Sequence, residues 1–365
     1  MLDFTSALYL GLRHPSPSLR PWLELTTGKP AALEPPPDAG AVARELAKLQ
    51  GCESATLLPS TLHLFWDLFG VLARDQVRIY MDAGSYAIAR WGVERAAARG
   101  IPVYSFPHHD AAAAREQIER DRASGGYPVI VADGFCPKCG KSAPIDRYLH
   151  HVERRNGYLV LDDTQALGIL GAKPTATAPY GHGGGGSLRH EGINSPRVIV
   201  GSSLAKGFGV PVAVLAGGAT LVERFEEQSE TRVHSSPPAA APIRAAERAL
   251  IVNHVDGESW RMHLLALVRR FHVRLRRIGI TAGRGLFPTV TIKPTGDLDA
   301  ATLQARLLQL GIRTVAIAGC RGSGARVALL VTVLHAPSDI DQAVEAIGRA
   351  TSSDLVIDAA PARVS

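Results

Sequence analysis

Hydrophobic and polar positions in this chain fall into short apolar runs that stop abruptly at polar residues. Runs of this kind at Arg78–Met81, Val103–Phe106, Val129–Ala132, Leu159–Leu161 and Val198–Gly201 read as buried strands, since a strand covered on both faces loses its alternation. Between and before them the spacing turns helical, over Ala41–Gln50 and over the apolar stretch Leu62–Leu72. Strand alternating with helix predicts an α/β fold with a mostly parallel sheet flanked by helices. After Pro237-Pro238, apolar residues at Leu264, Leu267, Val268, Phe271 and Leu275 predict a long helix leading into a smaller α+β lobe. The strands expected there are Thr289–Ile292, Thr314–Ile317 and Arg326–Val333, with a last helix opening at the N-cap pair Ser338-Asp339. Residues 1–40 carry Pro15, Pro17, Pro21, Pro30 and the run Pro35-Pro36-Pro37, which predicts an irregular arm. The expected division is therefore an arm over 1–40, a large domain over 41–240, and a linking helix with a small α+β domain over 241–365.

Two of the strand ends carry chemistry. Gly157-Tyr158-Leu159-Val160-Leu161 delivers Asp162 and Asp163, and about forty residues further on Val198-Ile199-Val200-Gly201 leads through Ser202 and Ser203 to Lys206. In open α/β sheets the crevice lies outside the carboxyl ends of the strands, so the two elements are placed to share one site. An aspartate facing a pyridine nitrogen and a lysine able to form a Schiff base are the requirements of a pyridoxal phosphate (PLP) enzyme. Only seven of the 40 basic residues are lysines, and Lys206 alone follows a predicted strand among small residues. The plainer reading of Lys206 is a surface lysine in a turn.

Segments along the chain carry a resemblance. Leu2-Asp3-Phe4-Thr5-Ser6-Ala7-Leu8-Tyr9-Leu10-Gly11-Leu12, Gly51-Cys52-Glu53-Ser54-Ala55, Asp162-Asp163-Thr164-Gln165-Ala166-Leu167-Gly168 and Ser203-Leu204-Ala205-Lys206-Gly207-Phe208-Gly209 resemble the α-oxoamine synthases. That group, which includes 8-amino-7-oxononanoate synthase, lies within the class I/II aminotransferase, fold-type-I PLP superfamily. The resemblance implies a biosynthetic homodimer that condenses an amino acid with an acyl thioester, carried on CoA or a carrier, with Lys206 as Schiff-base lysine. It implies Asp162 rather than Asp163 on the pyridinium. Ser60 and Thr61, ahead of the apolar helix, match its phosphate-binding turn, and a helix N-terminus is a physical anion site. Ser203 adds a hydroxyl, and Ser235-Ser236 are implied to reach the phosphate of the neighbouring subunit, giving shared active sites.

Three positions depart from the family. Tyr86 stands where a stacking histidine is expected, and a phenol supplies the same π-face; its plainer reading is a core tyrosine. Gln165 replaces a histidine near the cofactor's phenolic oxygen, and its amide can donate a hydrogen bond but not titrate. Ala328 takes the place of the arginine that binds the substrate carboxylate, leaving Arg326 and Arg321 as alternatives. An aminotransferase acting on an amino acid and a 2-oxo acid, or on an amine and a ketone, is the second reading on the same scaffold, and a non-catalytic PLP-fold binding protein the third.

Composition narrows the surroundings. A length of 365 residues passes the point, about 250–300, at which one core stops growing, so two lobes are expected. The start Met1-Leu2-Asp3-Phe4 lacks a secretory signal's positive charge, no apolar run approaches membrane-spanning length, and four cysteines form no disulfide framework, so a cytoplasmic enzyme is expected. A net charge of +6 raises the question of nucleic acid, but arginines such as Arg269, Arg270, Arg274, Arg276 and Arg277 read as solvated helix faces. Gly181–Gly186 lacks the lysine of a P-loop and reads as a flexible loop near the site. Cys136-Pro137-Lys138-Cys139 is half of a zinc site or a redox pair; Cys52, Cys320, His108, His109, His150 and His151 show no diagnostic spacing, so a plain turn with no metal is expected.

Overall fold

The computed structural model describes residues 1–294 and 298–352. The chain forms two units, one of residues 8–137 and 141–262, the other of residues 1–7, 138–140 and 263 onward. The boundary at 262/263 falls inside the helix Gly257–Arg277, whereas the proline pair had suggested 240/241.

Seven strands make the sheet of the large unit: β1 (Ser54–Leu58), β2 (Val77–Asp82), β3 (Val103–Phe106), β4 (Tyr127–Asp133), β5 (Tyr158–Asp162), β6 (Val198–Ser203) and β7 (Ala213–Gly217). Their order is β1-β7-β6-β5-β4-β2-β3, and only β7 runs against the others. Both faces are covered, and successive residues serve opposite cores. Val129, Val131, Val160 and Ile199 pack with the helices Thr61–Leu72, Ala87–Ala98 and Ala219–Gln228. Ile130, Ala132, Leu159, Leu161, Val198 and Val200 pack with the helices Ala111–Arg120 and Ile145–Glu153. This two-sided burial is why the strands read as unbroken apolar runs. A third cluster seats the helices Ala39–Gln50 and Ala240–Val255 around Leu57, Phe208 and Val214. Between β4 and the helix Ile145–Glu153, Phe135–Cys136 and Lys141–Ser142 form a short antiparallel hairpin.

The small unit holds β8 (Thr289–Ile292), β9 (Val315–Ile317) and β10 (Arg326–Leu330) in the antiparallel order β8-β10-β9, with the helices Ala300–Gln309 and Pro337–Thr351. The last strand is shorter than expected. Val331 N–H still donates to the Pro288 carbonyl at 2.8 Å, and the chain then turns, with Thr332 N–H donating to His335 Nδ1 at 3.0 Å. The first residues are not part of an irregular arm: Leu2 and Asp3 pair in parallel with Ile312 and Arg313, and the buried Phe4 stacks on His335 with ring centroids 4.3 Å apart.

Candidate active site

A parallel sheet aligns its carboxyl ends, and here that edge gathers acids. β2 ends at Asp82, β4 at Asp133 and β5 at Asp162, and Asp133 stands directly opposite Asp162 in register. β6, the next strand, leads into the loop that carries Lys206.

Asp162 is buried, and its Oδ1 accepts a hydrogen bond from the Thr164 N–H at 3.0 Å. Burial raises its pKa, opposed by Thr164 and by the charge of Lys206. Lys206 answers in kind: burial lowers its pKa, while Asp162 and then Asp133 hold it up. Asp163 points elsewhere, as alternation along a strand requires. Its carboxylate accepts from the Ser187 N–H at 2.8 Å and from the Ser187 hydroxyl, and burial pushes its pKa up to about 7. Of the two acids, Asp162 is the one whose charge is felt by the lysine.

The loops bearing these groups are locked together by backbone contact. A Cβ on Gly207 would lie 2.4 Å from the Leu167 carbonyl oxygen, and one on Gly168, whose φ is +88°, would lie 3.0 Å from Gly207 Cα. Across the strands, Ser203 N–H donates to Thr164 Oγ1 at 3.0 Å. Buried Arg261 donates to the Gly168 carbonyl at 3.0 Å and to Asn253 Oδ1 at 2.7 Å, and Asn253 donates to the Gly183 carbonyl at 2.9 Å. The glycine run at 181–186 is thus tied into the site's support, with glycines 181, 183, 184 and 186 at positive φ, rather than a slack tether.

Tyr86 precedes the helix Ala87–Ala98, is 57% exposed, and its ring centroid lies 5.9 Å from Lys206 Nζ, within reach of a cation–π contact. The core reading of this tyrosine does not hold. Gln165 is fixed by Tyr9, whose hydroxyl donates to Oε1 at 3.0 Å, so the amide nitrogen is the end left to serve as donor. Ser60 follows β1 and caps the helix Thr61–Leu72 only by position: its hydroxyl meets His63 Nδ1 at 2.9 Å and makes no capping bond to the helix N–H groups. Leu64 and Phe65 of that helix pack against Gly201 of β6, which brings the helix start toward the edge where Lys206 stands. Ser203 Oγ accepts from the Ala205 N–H at 3.3 Å. Ser235 donates its hydroxyl to the Thr231 carbonyl at 2.6 Å, and Ser236 is exposed. In the small unit, Arg326 opens β10 opposite Ile317 and Ala328 is buried in the middle of that strand. The side chain of Arg321 lies outside the described residues.

Asp133 is the residue that motif reading missed. The Tyr86 N–H donates to its Oδ1 at 3.0 Å, and burial together with the charge of Asp162 holds its pKa well above the usual carboxylate range. The signal was present in Val129-Ile130-Val131-Ala132-Asp133, an apolar run ending on an acid just as Leu159-Val160-Leu161-Asp162 does.

No family model matches the chain. Individual proteins do. An 8-amino-7-oxononanoate synthase of Alcanivorax borkumensis is 27% identical over 254 residues, covering 68% of this chain and 62% of that protein. The enzyme of the same name from Halorhodospira halophila is 27% identical over 321 residues, covering 86% of this chain and 75% of its own. One from Dechloromonas aromatica is 29% identical over 279 residues, covering 74% of this chain and 67% of its own. This chain is a relative of the 8-amino-7-oxononanoate synthases. It spans 62% of the length of the A. borkumensis relative. In structure it shares the fold of a serine palmitoyltransferase from S. paucimobilis with bound PLP-myriocin, with a TM-score of 0.82 at 15% identity over 95% of this chain and 86% of that one. An 8-amino-7-oxononanoate synthase from Francisella tularensis matches with a TM-score of 0.70 at 16% identity over 96% of this chain and 97% of its own. The expected fold-type-I architecture is therefore the one observed.

Proposed function

We propose that this chain is a PLP-dependent transferase that condenses an amino acid with an acyl thioester, with loss of the amino acid's carboxylate. The observation that carries the reading is the convergence of Lys206, Asp162 and the Tyr86 ring at the carboxyl edge of one sheet. Similarity to 8-amino-7-oxononanoate synthases supports condensation over transamination. When bound, pyridoxal phosphate supplies an electron sink for the α-carbon of the amino acid.

The donor set fits that group. Asp162 is a buried acid suited to a protonated pyridine nitrogen, and the N–H groups opening the helix Thr61–Leu72, not capped by the Ser60 side chain, with the Ser60 and Thr61 hydroxyls suit a phosphate. Ser203 adds a hydroxyl, Gln165 directs an amide N–H to a phenolic oxygen, and Tyr86 offers its ring face. Lys206 Nζ anchors the aldehyde and moves the proton at the α-carbon. Its lowered pKa makes the neutral amine, the form that accepts a proton, more accessible than in an exposed lysine.

Ser235 and Ser236 are proposed to complete the phosphate site of a second copy, which makes the enzyme a homodimer with shared sites. Among the described residues no helix is long and apolar enough to cross a membrane, and four cysteines in 365 residues are too few for a disulfide framework, which suits a reducing cytoplasm. Incubation with PLP, an amino acid panel and acyl-CoA donors tests the reaction. Release of CoA and carbon dioxide together is expected; amino-group exchange with 2-oxo acids and no CoA release would make the chain an aminotransferase instead.

A further inference from the structure

We propose that Arg261 is a positioning residue that fixes how Lys206 stands relative to Asp162, an inference that rests on Lys206 being the Schiff-base lysine. Arg261 reaches the site through two loops. It lies four residues after Gly257, and Asn253 lies four before, the spacing that puts side chains on one helical face. Gly257 leaves the room between them: a Cβ there would lie 2.8 Å from Asn253 Oδ1 and 2.9 Å from Arg261 Nη2. The two side chains therefore meet, Nη1 donating to Asn253 Oδ1 at 2.7 Å.

One guanidinium then holds both loops. Nη1 also donates to the Gly168 carbonyl at 3.0 Å, and Nη2 donates to Glu258 Oε1 at 2.9 Å. Glu258 Oε1 accepts from the Gly183 N–H at 2.6 Å, Asn253 Nδ2 donates to the Gly183 carbonyl at 2.9 Å, and the Gly168 N–H donates to the Gly184 carbonyl at 2.7 Å. These bonds close a ring that runs from Arg261 through Gly168, Gly184 and Gly183 and returns by Asn253 and Glu258. Gly168 is the residue that abuts Gly207, and Gly207 follows Lys206. The ring thus fixes the surface on which the lysine's loop rests, within the same stretch of chain that descends from Asp162.

A second observation is energetic. Arg261 is only 2% exposed, its carboxylate partner Glu258 is 50% exposed, and its Nε has no hydrogen-bond partner among the described residues. A buried charge with an idle donor costs stability that a well-packed apolar side chain of similar volume would not. What the guanidinium alone supplies is several donors in one rigid plane, enough to hold two loops at once. Without that tie the Gly168 loop is free to shift from Gly207, and Lys206 loses part of its enclosure.

The test begins with apoprotein, following acylation of Lys206 by an amine-directed reagent across pH with peptide mass mapping. In Arg261→Met and Arg261→Lys the midpoint should rise above that of the wild type, because burial is the largest influence on Lys206 and lowers its pKa. Arg261→Lys keeps the charge but not the fork, and it carries the test if the methionine variant does not fold. Asn253→Ala, which cuts the link to Gly183, should move the midpoint the same way by less. Arg224→Met controls for lost stability alone. Arg224 donates twice to Asp75 and once to the Val71 carbonyl, ahead of the amino end of β2, so its loss should lower the thermal midpoint and leave the Lys206 midpoint in place. In PLP-loaded enzyme, Arg261→Lys should lower kcat at least about tenfold while the amino-acid KM stays within about twofold. A folded Arg261→Lys chain with an unmoved Lys206 midpoint would overturn the proposal. A wild-type chain that traps no PLP with borohydride would instead remove the Schiff-base reading, a separate outcome, since the apoprotein titration scores the tie without cofactor.

Discussion

Asp133 and Asp162 stand opposite each other at the ends of adjacent parallel strands, one half-buried and one buried carboxylate sharing one lysine. Like charges this close cannot both ionise freely, and Lys206 is the cation that offsets them. Asp133→Asn removes one of the two acids that hold the Lys206 pKa up. The pH midpoint for acylation of Lys206 by an amine-directed reagent should then move to lower pH than in the wild type. An unmoved midpoint would remove Asp133 from the site.

Lys206→Ala should leave the far-ultraviolet circular dichroism and the thermal midpoint close to wild type, because the lysine is half-buried and packs no core. Borohydride-trappable PLP should vanish, and turnover should fall by at least about 10²–10⁴-fold, the range of a positioned acid/base group. Trapping that persists would move the Schiff base to another lysine.

In the proposed site Tyr86 serves through its ring face. Tyr86→Phe should bind PLP as the wild type does, whereas Tyr86→Ala should lose about 0.5–1.5 kcal/mol of affinity, roughly two- to tenfold in Kd. Equal losses in both variants, measured by fluorescence titration, would point to the hydroxyl instead.

Burial lifts Asp163 from 3.8 to about 7, so the folded chain binds a proton there that the unfolded chain releases. The sign follows by linkage: this group's stabilising contribution is full below about pH 3.8 and is lost as pH rises toward about 7. Asp163→Asn is neutral throughout and keeps an acceptor for the Ser187 N–H. Apoprotein thermal midpoints should therefore fall more steeply with rising pH in the wild type than in the variant. Parallel curves would show that Asp163 is ionised in the fold.

Subunit sharing can be tested by complementation. Ser235→Ala/Ser236→Ala should weaken PLP binding by the worth of one or two charge-assisted hydrogen bonds, about 1.5–3 kcal/mol each. Mixed with Lys206→Ala chains, it should form heterodimers in which one site carries both lesions and the other neither. Activity should reappear in the mixture; verified heterodimers without activity would mean that each chain builds its own site.

Much of this was legible because parallel strands buried on both faces announce themselves, and the polar residue that ends each run falls at the functional edge. The proposed Asp162 and Lys206 were read that way. Asp133 carried the same signature, but its importance depends on β4 lying next to β5, and strand order is a tertiary fact with no local trace. The pairing of Leu2-Asp3 with Ile312-Arg313 was hidden for the same reason. β7 escaped notice because its small apolar residues continue the run that follows Lys206. Arg261, buried beneath the Gly168 loop, sits in a helix whose other arginines are exposed or half-buried, and a charged residue in such company gives no sign that it is a structural tie.

The contact between Gly168 and Gly207 makes the spacing of the site a property of two missing side chains. Nothing larger than hydrogen separates the loop that carries the acid from the loop that carries the amine, so the gap between them is set by backbone van der Waals radii alone. A spacing defined in this way has almost no compliance. Substitutions elsewhere in the site can change what is held and how tightly, while a single methyl group at either glycine would act as a wedge between the two loops.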